Sequence, residues 1–245
     1  MNYPTHQRVA LVTGGSKGIG RAIAAELLES GTHVLITGRD PHALRAAVSD
    51  LSLPAHHGGA RVEWVSGDVR REVDARAMVD AAAARLGGLD ILINNAAVGI
   101  IVETASMTGE QWRETIETNL NGVFYCTHAA IPHLRQRGGG WIINISSLAS
   151  ANPFAGGAAY SATKAGLNAF GEALMQELRY DDIRVTTVCP GSVKTGFGGF
   201  DAGNTAEWKL QPEDVARVVT DLLAHPGRSL PSRVDIRPSR PPKKK

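Results

Sequence analysis

The stretch VALVTGGSKGIG, residues 9–20, decides the fold of this chain. Its first four residues are apolar, which predicts a short buried strand. The glycines that follow predict a turn, and Ile19, Ile23 and Leu27 then recur at helical spacing until Gly31 ends the helix. In such a turn the backbone can approach an anion closely, and the helix amino terminus adds N–H groups and partial positive charge. The stretch therefore predicts a phosphate-binding turn, although its Gly-x-x-x-Gly-x-Gly spacing also allows a turn that is merely tight.

Outward from this stretch, apolar runs alternate with helical patterns. Further strands are predicted at residues 34–36, 62–65, 89–93, 142–147, 185–189 and 233–236, with helices between them that include residues 72–86, 160–179 and 212–223 and one that starts at Pro41. Strands that are apolar throughout and alternate with helices indicate a parallel sheet covered on both faces. We therefore predict an α/β fold with a doubly wound, Rossmann-like, mostly parallel sheet of seven strands. One domain of residues 1–236 and a proline-rich tail of residues 237–245 are expected.

A long amphipathic helix is predicted over residues 108–136. Thr108 and Gln111 form a capping-box pattern at its start, and Pro132 should bend its last turns. Its buried face is expected to hold Ile116, Leu120, Val123, Phe124, Thr127, Ile131 and Leu134. Residues 194–211, in contrast, have no periodicity, which predicts a loop.

Composition and charge exclude several classes of protein. The net charge of +2 includes five positive charges in residues 237–245, so the preceding residues carry −3 and form no basic footprint for nucleic acid. The tail itself is expected to be solvated, with nuclear import or binding to anionic lipid as alternatives. Cys126 and Cys189 lie in apolar runs and predict buried free thiols, which favours a reducing compartment. No membrane-spanning run, signal peptide or metal-ligand spacing is apparent, so a cytoplasmic protein without a metal or a membrane partner is expected.

Polar residues follow the strand at residues 142–147. Ser147 comes at the end of this strand, and Tyr160 and Lys164 are four residues apart at the start of the next helix. On a helix, positions i and i+4 lie on one face, so the phenol and the ammonium group should point the same way. A phenol, an ammonium group and a hydroxyl together can protonate, hold and orient a carbonyl oxygen. A Tyr-x-x-x-Lys pair also arises by chance, and only its surroundings give it weight.

The end of the second strand bears on cofactor choice. An acid at this place bonds the ribose 2′-hydroxyl of NAD, whereas basic residues suit the 2′-phosphate of NADP. The chain has Gly38 and Arg39 here, with Lys17 in the glycine turn, and these two cations favour NADP(H). Asp40 weakens that preference, so NAD(H) stays possible.

Together these motifs resemble the short-chain dehydrogenase/reductase family, in its compact single-domain branch that includes 3-oxoacyl-carrier-protein reductases. The matching residues are Thr13-Gly14-x-x-x-Gly18-Ile19-Gly20, Asp68-Val69, Asn94-Asn95-Ala96, Asn119, Ser147, Tyr160-x-x-x-Lys164 and Pro190-Gly191. The resemblance covers roughly residues 8–195. Two departures are Ala97, where the family usually has glycine, and Val234 to Pro238, where a glycine-rich ending is common. The first could narrow the substrate pocket, and the second puts subunit contacts at that end in doubt.

The resemblance implies hydride transfer between a nicotinamide and a carbonyl or alcohol carbon. Tyr160 would be the general acid in reduction, with its pKa lowered by Lys164, which would also hold the nicotinamide ribose. Ser147 would bond the substrate oxygen, and Asn119 would hold a water that links Lys164 to solvent. The cofactor-binding positions that it implies are Gly14, Ser16, Lys17, Gly18, Ile19, Gly20, Arg39, Asp68, Val69, Asn94, Ala96, Tyr160, Lys164, Pro190, Gly191, Val193 and Thr195.

The substrate is expected to be a small molecule with an apolar body. Phe154 follows Ser147, and Phe197, Phe200 and Trp208 lie among glycines in the loop of residues 194–211, as in a closing lid. With Ser147 and Tyr160, Phe154 and Phe197 are the predicted substrate-binding residues. A β-ketoacyl thioester or a hydrophobic ketone fits, and an oxidising alcohol, sugar or steroid dehydrogenase is the alternative. A redox sensor that binds the dinucleotide without turnover is more remote. A homodimer or homotetramer through the helices at 108–136 and 157–179 is expected.

Overall fold

The strands form one parallel sheet. A computed structural model describes residues 7–199 and 207–242 of the chain. Its strands are β1 (Val9–Thr13), β2 (His33–Gly38), β3 (Val62–Ser66), β4 (Ile91–Asn94), β5 (Gly140–Ile145), β6 (Ile183–Pro190) and β7 (Arg233–Ile236). All neighbours pair in parallel, in the order β3-β2-β1-β4-β5-β6-β7. This confirms the predicted α/β, doubly wound sheet of seven strands, whose order reverses between β1 and β4.

Helices connect the strands, and local sequence signals mark several of their ends. They are α1 (Gly18–Glu29), α2 (Pro41–His57), α3 (Glu72–Leu86), α4 (Gly109–Ile116), α5 (Gly122–Gln136), α6 (Ala158–Leu178) and α7 (Pro212–Leu223). Pro41 is at the first position of α2, behind the capping carboxylate of Asp40. The Thr108–Gln111 capping box starts α4, with both of its hydrogen bonds made. Gly87, with a φ of +93°, ends α3 in the left-handed conformation.

The sheet separates two apolar cores, because successive side chains of a strand point to opposite faces. In β1, Ala10 and Val12 face the core that α1, α2 and α7 cover, whereas Val9 and Leu11 face the core under α3, α5 and α6. All four side chains are buried. Cys126 and Cys189 are buried free thiols, as predicted. Because helices cover both faces, a ligand can reach the sheet only at the ends of its strands, and in such sheets it binds at the carboxyl ends.

The helix predicted over residues 108–136 is not a single regular α-helix. A π-helical turn, Glu117–Asn121, lies between α4 and α5 and shifts the helical phase by an extra residue. The predicted buried face fails at Phe124, which is 49% exposed, while Cys126 and Ala130 are buried. A regular period of 3.6 residues cannot be continued across such a turn, which explains the error.

Most strands differ from the predicted bounds by about one or two residues. β4 begins at Ile91 rather than at residue 89, and β5 ends at Ile145, so Ser146 and Ser147 lie beyond it. Within the described part of the chain, no helix is long and apolar enough to cross a membrane. Phe200 and the last three lysines lie outside the described residues. The division into a domain and a tail stays a prediction.

Candidate active site

The glycine turn after β1 is fixed by a side chain from the end of β4. The Asn95 amide nitrogen donates to the carbonyl oxygens of Thr13 (2.9 Å) and Gly14 (3.1 Å). Gly14 has a φ of +65°, which favours glycine. A Cβ on Gly20 would lie 2.4 Å from the carbonyl oxygen of Gly14, so only glycine allows α1 to pack this closely on the turn. The turn is thus a rigid, bare backbone surface at the amino terminus of α1.

A hydroxyl joins the ends of β1 and β4. Thr13 Oγ1 accepts hydrogen bonds from the backbone N–H groups of Asn95 (3.0 Å) and Ala96 (3.1 Å) and donates to Ile93 (3.2 Å). Asn94 instead points into the interior, where its amide donates to Thr127 and Asn144. Of the predicted cofactor positions, Ala96 therefore lies beside the glycine turn, and Asn94 can face it only through its main chain.

Cations and a hydroxyl lie around the end of β2. The side chains of Lys17 and Arg39 are exposed. The hydroxyl of Ser16 lies 3.8 Å from the place that a Cβ on Gly38 would take, so the glycine turn and the end of β2 are close neighbours. Asp40 accepts a hydrogen bond from the backbone of His42 (2.8 Å) as the cap of α2. Its carboxylate is therefore engaged in starting a helix.

Asp68, after β3, is bound by an arginine that the sequence analysis did not single out. The Arg70 guanidinium donates to both carboxylate oxygens of Asp68, with Nε at 3.0 and 2.9 Å. Burial raises the pKa of Asp68, but the hydrogen bonds and charge of Arg70 outweigh it and hold this pKa below its usual value. Glu114 of α4 lies 3.7 Å from Arg70 and 3.8 Å from Arg39. These four side chains form a charged row beside Val69, which packs against Gly122 of α5.

Ser147, Tyr160 and Lys164 come together as predicted. The Lys164 ammonium group is buried, 5.8 Å from the centre of the Tyr160 ring, and donates to the carbonyl oxygen of Ile145 (2.8 Å). The Ser147 hydroxyl accepts from the backbone N–H of Ala149 (3.1 Å), which leaves its proton for another acceptor. A strand end and one helical turn thus place a hydroxyl, a phenol and an amine side by side.

Among these three side chains, Tyr160 has a pKa that differs in direction from the expectation. Burial raises the pKa of Tyr160, and the hydrogen bond with Ser147 partly lowers it again. Burial lowers the pKa of Lys164 to about 8. The Lys164 ammonium group points to the carbonyl oxygen of Ile145 and does not lower the pKa of Tyr160 in this structure. The hydrogen bond with Ser147 is what opposes the effect of burial on that pKa.

Asn119 lies in the π-helical turn and is fully buried. Its side-chain oxygen accepts from the N–H of Val98 (2.8 Å), and its amide nitrogen donates to the carbonyl of Val98 (3.0 Å) and to Thr163 (3.2 Å). Asn119 therefore ties the segment after β4 to α6, next to Lys164. The extra residue of the π-turn brings this side chain inward, as such turns often do at functional sites.

The loop after β6 spans the site from the glycine turn to Tyr160. Thr195 lies 3.4 Å from the position of a Cβ on Gly18, and the Phe197 ring is 5.8 Å from that of Tyr160. Gly191 donates its N–H to Ile236 (2.8 Å), and Val193 pairs with Leu210. Phe154 packs against Gly157 at the start of α6. The predicted substrate residue Phe197 thus covers Tyr160.

Comparison with known proteins identifies the family. A sequence model of the short chain dehydrogenase family matches residues 8–202. The chain is a short-chain dehydrogenase. An uncharacterised oxidoreductase of Methylorubrum extorquens is 38% identical over 233 residues, covering 90% of this chain and 92% of the relative. Another, from Staphylococcus epidermidis, is 32% identical over 233 residues and covers 95% and 97%.

Solved structures of short-chain dehydrogenases resemble the whole chain. An alcohol dehydrogenase from the archaeon Thermococcus sibiricus, complexed with 5-hydroxy-NADP, is 28% identical with a TM-score of 0.88 and covers 98% of this chain and 100% of that one. A metagenomic short-chain oxidoreductase in complex with NADP is 35% identical, with a TM-score of 0.82 and coverages of 96% and 98%. Actinorhodin polyketide ketoreductase with NADPH is 30% identical, with a TM-score of 0.85 and coverages of 95% and 96%. This short-chain dehydrogenase is therefore an NAD(P)-dependent oxidoreductase.

Three residues of this short-chain dehydrogenase that shape the site were given no role in the sequence analysis. Thr13 and Asn95 appeared there only within motifs, although both are polar residues directly after apolar strands, which is a usable signal. Arg70 has no sequence signal of its own, because its pairing with Asp68 depends on the local backbone after β3.

Proposed function

We propose that the protein is an NADP(H)-dependent reductase of a carbonyl group. The observation that carries this proposal is that one loop touches both parts of the site, with Thr195 against the glycine turn and Phe197 against Tyr160. A nucleotide held at the first and a substrate at the second would therefore meet. The backbone N–H of Phe197 also donates to Thr195 (3.3 Å), which keeps the two contacts in one unit.

The residues present fit a nicotinamide dinucleotide. The bare turn that includes Gly14 and Gly20 would hold the pyrophosphate, Asp68 and Val69 the adenine, and Tyr160 and Lys164 the nicotinamide ribose. When bound, this cofactor supplies the hydride, while the protein supplies orientation and a proton. Ser16, Lys17, Gly18, Ile19, Arg39, Asn94, Ala96, Pro190, Gly191, Val193 and Thr195 complete the proposed binding set.

Charge at the end of β2 supports NADP(H) over NAD(H). Lys17 and Arg39 are cations with a hydroxyl, Ser16, close by, and phosphate bonds to cations are strong. Asp40, which could favour NAD(H), is engaged as the cap of α2. The structural relatives described as complexes with NADP or NADPH agree with this preference.

In the proposed mechanism, Tyr160 donates a proton to the substrate oxygen. Burial raises its pKa, so the phenol keeps its proton at neutral pH and is available as an acid. The Ser147 hydroxyl donates a second hydrogen bond to the same oxygen and sets its direction, since its bond with the Ala149 N–H uses an acceptor position and leaves the hydroxyl proton for the substrate. Lys164, which is charged below about pH 8, would hold the nicotinamide ribose beside this phenol.

The phenol must then be reprotonated, and we propose that Asn119 takes part through a bound water near Lys164. Its side chain already bonds to Val98 and Thr163, so the water would bind at its main chain. The π-turn supports this proposal, because such turns are frequent at functional sites.

The proposed substrate is a ketoacyl thioester or another hydrophobic ketone. Phe154 and Phe197 are both partly exposed beside Tyr160 and the start of α6, where an apolar substrate can bury them. The polyketide ketoreductase among the structural relatives supports this class. Oxidation of an alcohol is the second candidate, since the same groups run the reaction backwards and one relative is an acetoin dehydrogenase. A sensor without turnover would not need the Tyr160 acid.

We also propose a homodimer or homotetramer. Trp112 of α4 and Phe124 of α5 are 43% and 49% exposed on neighbouring helices, and a second copy of this surface would cover them. A cytoplasmic location stays a prediction.

The deciding experiment is oxidation of NADPH and of NADH with a panel of ketones, ketoacyl thioesters and sugars. NADPH turnover on at least one hydrophobic ketone is expected. Tyr160→Phe should lower kcat about 10²–10⁴-fold while the Kd of NADPH changes less than about twofold. The control is Tyr180→Phe, because Tyr180 is 91% exposed. Unchanged turnover in Tyr160→Phe would refute the mechanism, and tighter binding of NADH than NADPH would refute the cofactor preference.

A further inference from the structure

A hydrogen-bonded side-chain network connects α6 to the loop that carries Ser147. Asn168 lies on the same face of α6 as Lys164, one turn further along. Its side-chain oxygen accepts from the Ser146 hydroxyl (2.7 Å), and its amide nitrogen donates to the Ser150 hydroxyl (2.8 Å). One amide therefore holds residues on both sides of Ser147.

The second step of the network reaches Ser147 itself. The Ser150 hydroxyl donates to the carbonyl oxygen of Ser147 at 2.6 Å, and the backbone N–H of Ser150 donates to the same oxygen at 3.1 Å. The Ser147 hydroxyl is meanwhile held by Ala149, in the short 3₁₀ turn Leu148–Ser150. The peptide group of Ser147 is thus fixed at its oxygen, and its side chain has little freedom left.

Without this network, Ser147 would be supported mainly by its own short turn. It lies two residues beyond the end of β5, outside the ladder of the sheet. Asn168 joins this turn to the helix that carries Tyr160, so the two hydroxyls keep a fixed relation. Groups that act on one substrate atom need such support, since a displacement of about 1 Å can cost about 10²-fold in rate.

We infer that Asn168, acting through Ser150, is a positioning residue that fixes the Ser147 hydroxyl relative to the Tyr160 phenol. This inference rests on the proposed function, because it takes Ser147 and Tyr160 as the groups that bind the substrate oxygen. Asn168 touches neither substrate nor cofactor in this scheme. Its effect reaches Ser147 through two hydrogen bonds, one from the Asn168 amide to Ser150 and one from the Ser150 hydroxyl to the Ser147 carbonyl oxygen.

The test is a double-mutant cycle with Asn168→Ala, Ser150→Ala and Ser147→Ala, assayed with NADPH and the ketone found by the panel. Asn168→Ala and Ser150→Ala should each lower kcat at least about tenfold, with the Kd of NADPH changed less than about twofold. In the Ser147→Ala background, each of the two substitutions should lower kcat by less than a further factor of about two, because the serine through which they act is gone. Ser150→Thr, which keeps the hydroxyl, should recover most of the loss.

A matched control is Asn152→Ala. Asn152 also donates to the loop, at the carbonyl oxygen of Leu148 (3.3 Å), but it is exposed and does not bond to Ser147 or Ser150. Its kcat should stay within about twofold of the wild type. Losses that multiply in the Ser147→Ala background, or full activity in Ser150→Ala, would overturn the inference. If Asn168→Ala does not fold, the Ser150 variants decide the question.

Crystal structures separate this inference from the proposed function. In Ser150→Ala the Ser147 hydroxyl should move away from the Tyr160 phenol, and an unmoved hydroxyl would count against the inference. A wild-type protein that reduces no carbonyl would refute the proposed function, while the position of Ser147 in the two crystals would still decide the role of the network.

Discussion

The charge of Lys164 depends strongly on its surroundings. Burial brings its pKa to about 8, below the value of a lysine in water, so it loses its proton as the pH rises through 8. If its charge is needed for binding and for proton transfer, kcat/KM for NADPH should be constant below about pH 8 and decline above it. Initial rates at saturating ketone between pH 6 and 10 measure this. A profile that stays level to pH 10 would contradict the role of Lys164.

Arg39 is the residue that we propose to select between NADPH and NADH. Arg39→Ala should raise the Kd of NADPH about tenfold or more, because a hydrogen bond between charged groups contributes roughly 1.5–3 kcal/mol. The Kd of NADH should change less than about twofold. Titration of the purified protein by nicotinamide fluorescence gives both constants. Arg45→Ala is the control, since the Arg45 guanidinium lies over the Trp64 ring of β3, 6.0 Å from its centre. Equal losses for NADPH and NADH would count against a contact with the 2′-phosphate.

At this scale the sequence predicted what depends on spacing alone. Tyr160 and Lys164 share a helix face because they are four residues apart, and that follows from helix geometry without coordinates. The pairing of Arg70 with Asp68 and the turn of Lys164 towards Ile145 depend on side-chain rotamers and local burial. Rotamers and burial cannot be derived from residue spacing. The predicted lowering of the Tyr160 pKa was therefore wrong, because burial raises it.

Among the elements, the glycine turn and α1 act as one unit. In Gly20→Ala the new Cβ would lie 2.4 Å from the Gly14 carbonyl oxygen, so the turn or the helix must shift. We expect a loss of about 1–3 kcal/mol in stability from this overpacking and a Kd for NADPH raised at least about tenfold. Thermal unfolding and cofactor titration measure the two effects.

Gly166→Ala is the matched control for that prediction. Gly166 is also inside a helix, but its added Cβ would meet only Leu120 at 3.4 Å. Alanine favours a helix over glycine by about 0.5–1 kcal/mol, so this variant should be as stable as the wild type or more stable, with normal cofactor binding. If both variants bind NADPH equally well, the close packing of α1 on the turn does not matter for binding.

The helices also show where periodicity stops being informative. Local signals located the ends of α2, α3 and α4 well, because Pro41, Gly87 and Thr108 act on their own neighbours. The π-turn at Glu117–Asn121 has no comparable local signal. It is held by the bonds of Asn119 to Val98 and Thr163, which are distant in sequence, so only the assembled fold determines it.

For the whole molecule, the proposed site lies at the carboxyl ends of the strands, whereas a largely buried ion pair lies at their amino ends. At the edge where strands begin, Arg137 donates two hydrogen bonds of 2.9 Å to Asp90, which also accepts from the backbone of Val9. Both charged side chains are largely buried. Arg137→Met should therefore lower the free energy of unfolding by about 1–3 kcal/mol, because the largely buried Asp90 carboxylate loses the two hydrogen bonds from Arg137, while kcat stays within about twofold.

Urea unfolding and the ketone assay together measure this division. The exposed pair of Arg135 and Asp181, 2.7 Å apart, supplies the control, and Arg135→Met should cost less than about 1 kcal/mol. A large loss of turnover in Arg137→Met without a loss of stability would show that the two edges are coupled.

The cap of α2 has a practical consequence for redesigning the proposed NADP(H) preference towards NAD(H). An acidic residue at the end of the second strand usually binds the NAD ribose. Asp40 follows β2, but turning its carboxylate to a ribose would break its capping hydrogen bond with His42. A redesign should therefore leave Asp40 alone and introduce the new carboxylate at residue 39, where the present side chain is largely in solvent.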